Sequence, residues 1–442
     1  MRIKFILAAV LGFLGCGSLF AQRVGSDRLI QFYQWRVSRD PGEHTNYDHL
    51  GSAYLQKARE TGDPVYYELS QKSFDQALAL LDRDKPEAAG STAHLAALYL
   101  AEHRFQESLS LSEKALALDP ELLPAYATLG DGQLETGEYA KAASSYAKLK
   151  IPEDSLPPRP GLAYLSETRQ AGLSYMLGKP QEAIEHMRSA VAKARQSQLP
   201  VENIAWSQFS LGELCFASGD YANAEAAYTA ALQTFPNYHR ALAWMGQLRA
   251  AQGRYPEAAE LYRKAIEMIP LPLYAASLGD VYTRMGLAQE ATQQYELVDF
   301  IAKLNGINQK LFRRELASFY TEHEVHLAEG LEFALDELTA RKDVYTWDVV
   351  AWAYFKNGKT AEASDAIAHA LAQGTSDPML FFHAGMIYEK AGDTVKAKGF
   401  LQRALDINPH FHIFYASTAN DTLARLVQKD VVASQREASG VH

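Results

Sequence analysis

One spacing recurs along most of the chain and restricts what it can fold into. A small residue, Gly or Ala, returns at ten positions, five of the nine intervals between them being 34 or 33 residues. These positions are Gly51, Ala96, Gly130, Gly172 (or Ala171), Gly212, Gly246, Gly279, Ala317, Ala351 and Gly385. Because Ala, Leu, Glu and Gln are abundant between them, the spacing predicts consecutive helical hairpins rather than strands.

The residues kept at fixed offsets have packing roles in such hairpins. A small side chain, as at Gly212 or Ala224, lets two helices approach closely, and Tyr228 fills the space beside the contact. Gly219 stands where a first helix ends and accepts the left-handed conformation of a helix cap. Pro236 stops the second helix. Since no hairpin can bury its apolar face alone, neighbouring hairpins are expected to stack into one continuous core.

With these residues in phase, the chain resembles the tetratricopeptide repeat family over about residues 45–410. The resemblance implies an all-α fold, an α-solenoid of about ten helix-turn-helix repeats with capping helices. Units one, four and eight are degenerate. The stretches DVYTWDVVAWAYFKNGK (343–359) and HAGMIYEKAGD (383–393) resemble exported bacterial members of the family.

We divide the chain into seven segments on these grounds. They are a signal peptide (1–21), an N-terminal capping helix (22–44), repeats one to three (45–150), a Pro-rich loop (151–160), repeats four to ten (161–410), a C-terminal capping helix (411–428) and a disordered tail (429–442).

The amino terminus has the pattern of a secretory signal. Arg2 and Lys4 precede an apolar run over 5–14, and small Ala21 offers a cleavage site. We therefore expect an exported protein, periplasmic or secreted. Cys16, preceded by glycine, leaves a lipid anchor to the envelope as the alternative, and an uncleaved anchor is the third reading. If Cys16 is removed, Cys215 stands alone and is expected to be a small buried apolar residue.

Charge and hydropathy exclude two classes of partner. The formal net charge is -10 and no basic cluster interrupts the chain. Such a chain is a poor ligand for nucleic acid or an anionic membrane surface. No stretch after the amino terminus approaches the roughly 20 apolar residues of a membrane-spanning helix.

Motifs for catalysis and metal binding are incomplete. The "GKT" at 358–360 lacks the earlier glycine of a phosphate loop, because that position holds Ala353. The "HEVH" at 323–326 is one residue short of a zinc-hydrolase motif. The pair His410 and His412 is at most a weak metal site. We therefore predict a non-catalytic protein with no cofactor and no metal.

The resemblance places the binding surface on the concave side, which the first helix of each unit lines. The inward positions are small in unit six, with Ala243 and Gln247, but large in units five, nine and ten. The predicted partner-binding residues are Trp206, Phe209, Phe216, Tyr345, Trp352, Phe355, Met379, Phe382 and Met386. Aromatic side chains are effective anchors for a peptide. Internal packing and self-association into a homo-oligomer are the alternatives for the same side chains.

These observations favour an exported scaffold that binds a peptide segment or protein surface in its concave groove. Two alternatives stay open: a helical-repeat enzyme acting on envelope glycan or peptide, and a structural subunit of an envelope assembly. The enzyme alternative predicts paired acids with raised pKa values in a deep cleft.

Overall fold

The computed structural model describes residues 25–150, 160–304 and 312–438. These residues form 22 α-helices and contain no strand, so the predicted all-α class is confirmed. The predicted signal peptide with Cys16, and all but the last residue of the Pro-rich loop at 151–160, lie outside the described residues. Within the described ranges, no helix has the length and apolar character needed to cross a membrane.

The helices pair into ten hairpins between two capping helices. The first half comprises cap α1 (Ser26–Arg39), unit one α2 (His44–Thr61) and α3 (Val65–Ala79), unit two α4 (Ala89–Ala101) and α5 (Phe105–Leu118), unit three α6 (Leu123–Glu135) and α7 (Tyr139–Ala147), unit four α8 (Pro160–Met176) and α9 (Pro180–Gln196), and unit five α10 (Val201–Ala217) and α11 (Tyr221–Thr234). A short 3-10 turn at Pro86–Ala88 precedes α4.

The second half repeats the same arrangement. It comprises unit six α12 (His239–Ala251) and α13 (Tyr255–Met268), unit seven α14 (Pro272–Arg284) and α15 (Ala288–Lys303), unit eight α16 (Arg313–Glu322) and α17 (Leu327–Ala340), unit nine α18 (Val344–Lys356) and α19 (Thr360–Leu371), unit ten α20 (Pro378–Lys390) and α21 (Thr394–Ile407), and cap α22 (Tyr415–Ala438).

In six units, the small residue is a glycine that faces a large side chain of the second helix in the same unit. A Cβ atom added at Gly212 would lie 2.3 Å from a ring carbon of Tyr228, and one at Gly130 would lie 2.4 Å from Tyr146. Both rings are fully buried. The close helix contact expected from the spacing therefore exists, and the aromatic ring fills the space that the missing side chain leaves.

Units far apart in sequence also touch, so that the solenoid winds back on itself. The backbone N–H of Lys342, just before unit nine, donates to the carbonyl of Glu135 in unit three at 3.0 Å. The N–H of Val344 donates to the hydroxyl of Tyr139, also in unit three, at 2.9 Å. The start of unit nine therefore lies against the hairpin turn of unit three.

Other hydrogen bonds join the two turns of the coil one and two units further along. Thr375 Oγ1 donates to the carbonyl of Met176 at 2.5 Å, which ties the loop before unit ten to unit four. Asn408 Nδ2 donates to the carbonyl of Phe216 at 2.7 Å, and Asn408 Oδ1 accepts from the hydroxyl of Tyr221 at 2.5 Å. Because these partners are about 200 residues apart, successive turns of the coil touch and enclose an inner space.

The last helix differs from the expected tail. A cap over 411–428 and a disordered tail from residue 429 were predicted, whereas α22 continues to Ala438. Once a helix has formed, each added residue gains a hydrogen bond at little further cost, and Ala, Gln, Arg and Glu in this stretch favour helix. The structure thus extends the terminal helix through most of the segment.

Candidate functional site

The inward positions of several first helices meet at one cavity. Counted from the small residue of each unit, these positions lie six and three residues before it and one and four after it. Phe209 of α10, Arg240 of α12, Leu273 of α14 and Arg314 of α16 all occupy such positions and line a cavity of about 180 Å³. The phase of the repeat therefore indicates which side of each helix faces the interior.

The cavity is built from seven of the ten units, because residues of units one to three and five to eight contribute to its wall. Most of that wall is apolar. The main apolar contributors are Leu55, Leu100, Phe209, Trp244, Leu271 and Leu273. A cavity of about 150 Å³ with such a lining accepts a benzene ring in another protein, so this one has room for an apolar group of that size.

Four arginines also reach the cavity, and three of them are ion-paired. The pairs are Arg59 Nη2 with Glu202 Oε2 at 2.8 Å, Arg314 Nη1 with Asp343 Oδ2 at 2.9 Å, and Arg341 Nε with Glu135 Oε2 at 2.6 Å. A lining carboxylate, Asp131, is likewise paired with buried Arg169 at 2.7 Å and accepts from the hydroxyl of Tyr146. These groups neutralise one another within the wall.

Arg240 is different from the other three arginines. It is half-buried and lines the cavity, no ion pair joins it directly to a carboxylate of the described residues, and Glu202 and Glu213 act on its charge from further away. Sequence analysis noted only Ala243 and Gln247 in unit six and missed this residue. The signal was present, since Arg240 lies three residues before Ala243 on the same inward stripe.

His239, next to Arg240 on α12, also has unused hydrogen-bonding capacity. Its side chain is 5% exposed, and Nδ1 lies 2.7 Å from the hydroxyl of Tyr274. Its Nε2 atom is buried and has no hydrogen-bond partner among the described residues. Burial, together with the charge of Arg240, lowers the pKa of His239 well below its usual value, so the ring is neutral near pH 7. His239 is a further residue that the sequence analysis missed.

The nine predicted partner-binding residues lie mainly inside the protein. Seven are buried, namely Trp206, Phe209, Phe216, Tyr345, Trp352, Met379 and Phe382, while Phe355 and Met386 are half-buried. Phe209 lines the cavity described above, and Tyr345 lines a smaller neighbouring cavity of about 70 Å³. The structure therefore does not gather the nine side chains into one exposed groove, and partner contact through them stays a prediction.

Internal neighbours account for the burial of the unit nine and ten aromatics. The ring of Trp352 stacks on His383 at 4.1 Å and contacts Tyr415 of α22 at 5.8 Å. Phe382 stacks on Tyr415 at 4.7 Å and contacts Phe411 at 5.7 Å. The terminal segment thus covers this cluster, which is one of the packing alternatives named above.

The unit five aromatics are enclosed by the next unit and by the second helix of their own unit. Phe209 forms an edge-to-face contact with Trp244 of α12 at 5.2 Å and lies 6.1 Å from Tyr238. Phe216 contacts Tyr221 at 5.7 Å. Edge-to-face pairs of this kind add to the stability gained from burial.

The histidines and the glycine of the incomplete motifs make contacts within the fold. His323 Nε2 lies 2.7 Å from Asp280, and His412 Nδ1 accepts from the backbone N–H groups of Phe414 and Tyr415 at the start of α22. Gly358 supplies a left-handed turn at φ 74° between α18 and α19. In the described part of the chain, no three His, Cys, Asp or Glu side chains are grouped as metal ligands would be. Burial raises the pKa of the Cys215 thiol to about 11.

Comparisons with known proteins agree with this architecture. Family models described as tetratricopeptide repeat match residues 209–271 and 351–410, and a second such model matches 163–237. Protein CTR9 homolog of Arabidopsis thaliana is 25% identical over 216 residues, which are 46% of this chain and 19% of that protein. The chain thus spans about a fifth of the length of this relative.

The solved structures to which the chain shows a likeness are more distant in sequence. PilW, a type IV pilus biogenesis factor, is 18% identical, with a TM-score of 0.41, and the match covers 51% of this chain and 98% of PilW. Yeast Tom70 is 13% identical, with a TM-score of 0.35, and the match covers 89% of this chain and 99% of Tom70. The ten stacked hairpins and the matching family models together identify the chain as a tetratricopeptide repeat protein.

Proposed function

We propose that this protein is an exported scaffold whose inner surface binds a peptide segment of another protein. Its repeats indicate a protein-interaction scaffold. The observation that carries the finer proposal is the cavity. Inward-facing residues of separate units converge on it, and its apolar wall and Arg240 are available to a ligand. A side chain of a bound segment would occupy that space, as anchor residues do in other complexes.

The predicted aromatic residues enter this proposal in two groups. Phe209 and Tyr345 line the two inner cavities, and Phe355 and Met386 are half-buried, so these four are within reach of a segment lying in the coil. The other five are covered by the chain itself. They contact a partner only if neighbouring turns or α22 move away.

Photo-crosslinking tests the inner surface directly. A photoreactive amino acid at position 273, which lines both cavities, is expected to capture a discrete partner in cells of the source organism. The matched control is position 395 on α21, where Val395 is 76% exposed. Equal capture from both positions, or capture from position 395 alone, would contradict binding on the inner surface.

Export is a separate part of the proposal. It is supported by Arg2 and Lys4, the apolar run after them, and small Ala21. Mass spectrometry of the mature protein is expected to find an amino terminus directly after Ala21. A lipid-modified Cys16 at the amino terminus would instead establish an anchored protein, and an intact Met1 in purified envelope and cytoplasmic fractions would refute cleavage.

A specific observation also supports the enzyme alternative. Asp131 and Glu135 both line the cavity, and burial raises the pKa of each carboxyl group while the neighbouring arginines oppose that effect. Raised carboxyl pKa values in a cavity are typical of general acids. Purified protein that releases reducing ends from envelope glycan, and a Glu135→Gln variant that does not, would favour this alternative; an inactive parent protein would dismiss it.

A further inference from the structure

We propose that the inner cavity is a binding site for a small amphipathic carboxylate, a monoanion whose apolar body is about the size of a benzene ring. Arg240 is the anchor for the carboxylate and the apolar wall holds the body. The inference does not rest on the scaffold function, because a free carboxylate would exclude a partner's side chain from the same cavity and the two occupants are alternatives.

The charge distribution gives the sign of the ligand. Arg59, Arg314 and Arg341 pair directly with carboxylates. Arg240 lines the cavity and is half-buried, and in the described structure Glu202 and Glu213 balance its charge only at longer range. A guanidinium without a carboxylate in direct contact still gains from a charge-assisted hydrogen bond to an anion. A carboxylate accepts two parallel hydrogen bonds from guanidinium, which makes it the best-matched small anion.

The start of α12 supplies a second attraction for an anion. No side chain caps the amino terminus of this helix, whose N-cap residue is Tyr238. The free N–H groups and the helix dipole favour negative charge at this end. The dipole is unfavourable for the positive charge of Arg240, which lies in the first turn of the helix. An anion bound here would interact favourably with both the dipole and the guanidinium.

His239 provides an independent indication of a polar ligand. It lines the cavity and only 5% of its surface is exposed. Its Nε2 atom lacks a hydrogen-bond partner in the described structure. When the hydroxyl of Tyr274 donates to Nδ1, the proton of the ring resides on Nε2. That N–H is then a donor for a second carboxylate oxygen.

The size and lining of the cavity indicate the size and apolar character of the ligand body. About 180 Å³ between Leu55, Leu100, Trp244 and Leu273 accommodates one aromatic ring or a chain of comparable size. We therefore expect phenylacetate to be a suitable probe, with 2-phenylethanol and 2-phenylethylamine as its neutral and cationic counterparts.

Isothermal titration calorimetry on the full chain tests the proposal. Phenylacetate is expected to bind at least about 10-fold more tightly than 2-phenylethanol, because a charge-assisted hydrogen bond contributes a difference of that order. The amine is expected not to bind. Equal affinities for acid and alcohol, or no phenylacetate binding up to a Kd of about 1 mM, would overturn the proposal.

Variants assign the carboxylate to Arg240. Arg240→Gln is expected to weaken phenylacetate binding by about 10-fold and to leave 2-phenylethanol within about twofold, while Arg240→Lys keeps most of the affinity. The control is Arg263→Gln, which removes a half-exposed arginine of α13 outside the cavity. Unchanged phenylacetate affinity in a folded Arg240→Gln protein would refute the anchor. If that variant does not fold, the comparison of the three ligands on the unaltered chain decides.

Discussion

Hairpin turns in the two halves of the coil have the same local conformation but different surroundings. In units three to five, an added Cβ atom would meet the backbone of the second half: at Gly137 it would lie 2.6 Å from the carbonyl oxygen of Lys342, at Gly178 2.2 Å from that of Gly374, and at Gly219 2.6 Å from that of Ile407. In units six, nine and ten, an added Cβ at Gly253, Gly358 or Gly392 meets no described atom within 4 Å.

All six glycines have positive φ, so each satisfies the same local requirement for a left-handed turn. Only the three in the first half also let another turn of the coil approach. The comparison teaches that one repeated residue can serve a local role in every unit and a long-range role in some of them.

Alanine substitution of the turn glycines is expected to have the largest effect. Gly178→Ala should destabilise the protein by about 3 kcal/mol, because the left-handed conformation and the clash with Gly374 add together. Gly253→Ala has a similar φ and should cost only about 1 kcal/mol. Urea unfolding of the two variants measures the difference, and equal losses would mean that the turns of the coil do not touch.

Removal of a buried amide between the turns is expected to have the next largest effect. Asn408 bonds to Phe216 and Tyr221, and its side chain is fully buried. Asn408→Ala should cost about 2 kcal/mol, since it leaves a buried carbonyl without its donor. Asn223 is exposed, and its side-chain amide donates to Asp220 at the start of the same helix.

The control variant Asn223→Ala should therefore change stability by less than about 0.5 kcal/mol. Thermal unfolding followed by circular dichroism compares the two asparagines. If Asn223→Ala proved the more harmful change, contacts within a unit would matter more than contacts between turns.

Tyrosines at equivalent positions of units five and six sharpen the comparison further. The hydroxyl of Tyr221 donates to Asn408, whereas that of Tyr255 has no acceptor among the described residues. Tyr221→Phe should cost about 1 kcal/mol and Tyr255→Phe almost nothing. A double-mutant cycle of Tyr221→Phe with Asn408→Ala should give a coupling energy of about 0.5–1 kcal/mol, and strict additivity would rule out the contact.

Acidification should have opposite effects on the stability contributed by His94 in unit two and by His239 at the inner cavity. The pKa of His94 is raised, because Asp48 at 2.8 Å from Nδ1 outweighs the lowering effect of burial. Its contribution to stability is complete below the unfolded pKa of about 6.5 and is lost as pH rises through the folded pKa. The pKa of His239 is lowered by burial, so its contribution is present above about 6.5 and is lost as pH falls.

Unfolding in urea at neutral and mildly acidic pH measures this smallest effect. His239→Gln should lose less stability than the parent protein on acidification, and His94→Gln should lose more. A shift of both variants in the same direction would contradict the assigned pKa changes.

The fold was predictable because its determinants are local and repeated. Gly212 and Tyr228 are 16 residues apart in one hairpin, and their contact recurs between Gly130 and Tyr146. A pattern of this kind appears in the sequence many times in phase, so each occurrence supports the others. Fold class and helix pairing follow from it.

The site was predictable only in part, because its determinants join distant turns. The repeat phase places Phe209 and Arg240 on the inner side, but it does not reveal that Arg314 and Arg341 are paired while Arg240 is not. It likewise does not reveal that α22 covers Trp352. Gly219 and Gly253 look alike in sequence, and only the return of the chain separates them.

The contacts between turns, as from Thr375 to Met176, have a consequence for the rigidity of the coil. In an open repeat array each unit meets only its neighbours and the array flexes like a spring. Here hydrogen bonds join successive turns, so the coil is expected to be stiffer than an open array and to hold its inner cavity in one shape before a ligand binds.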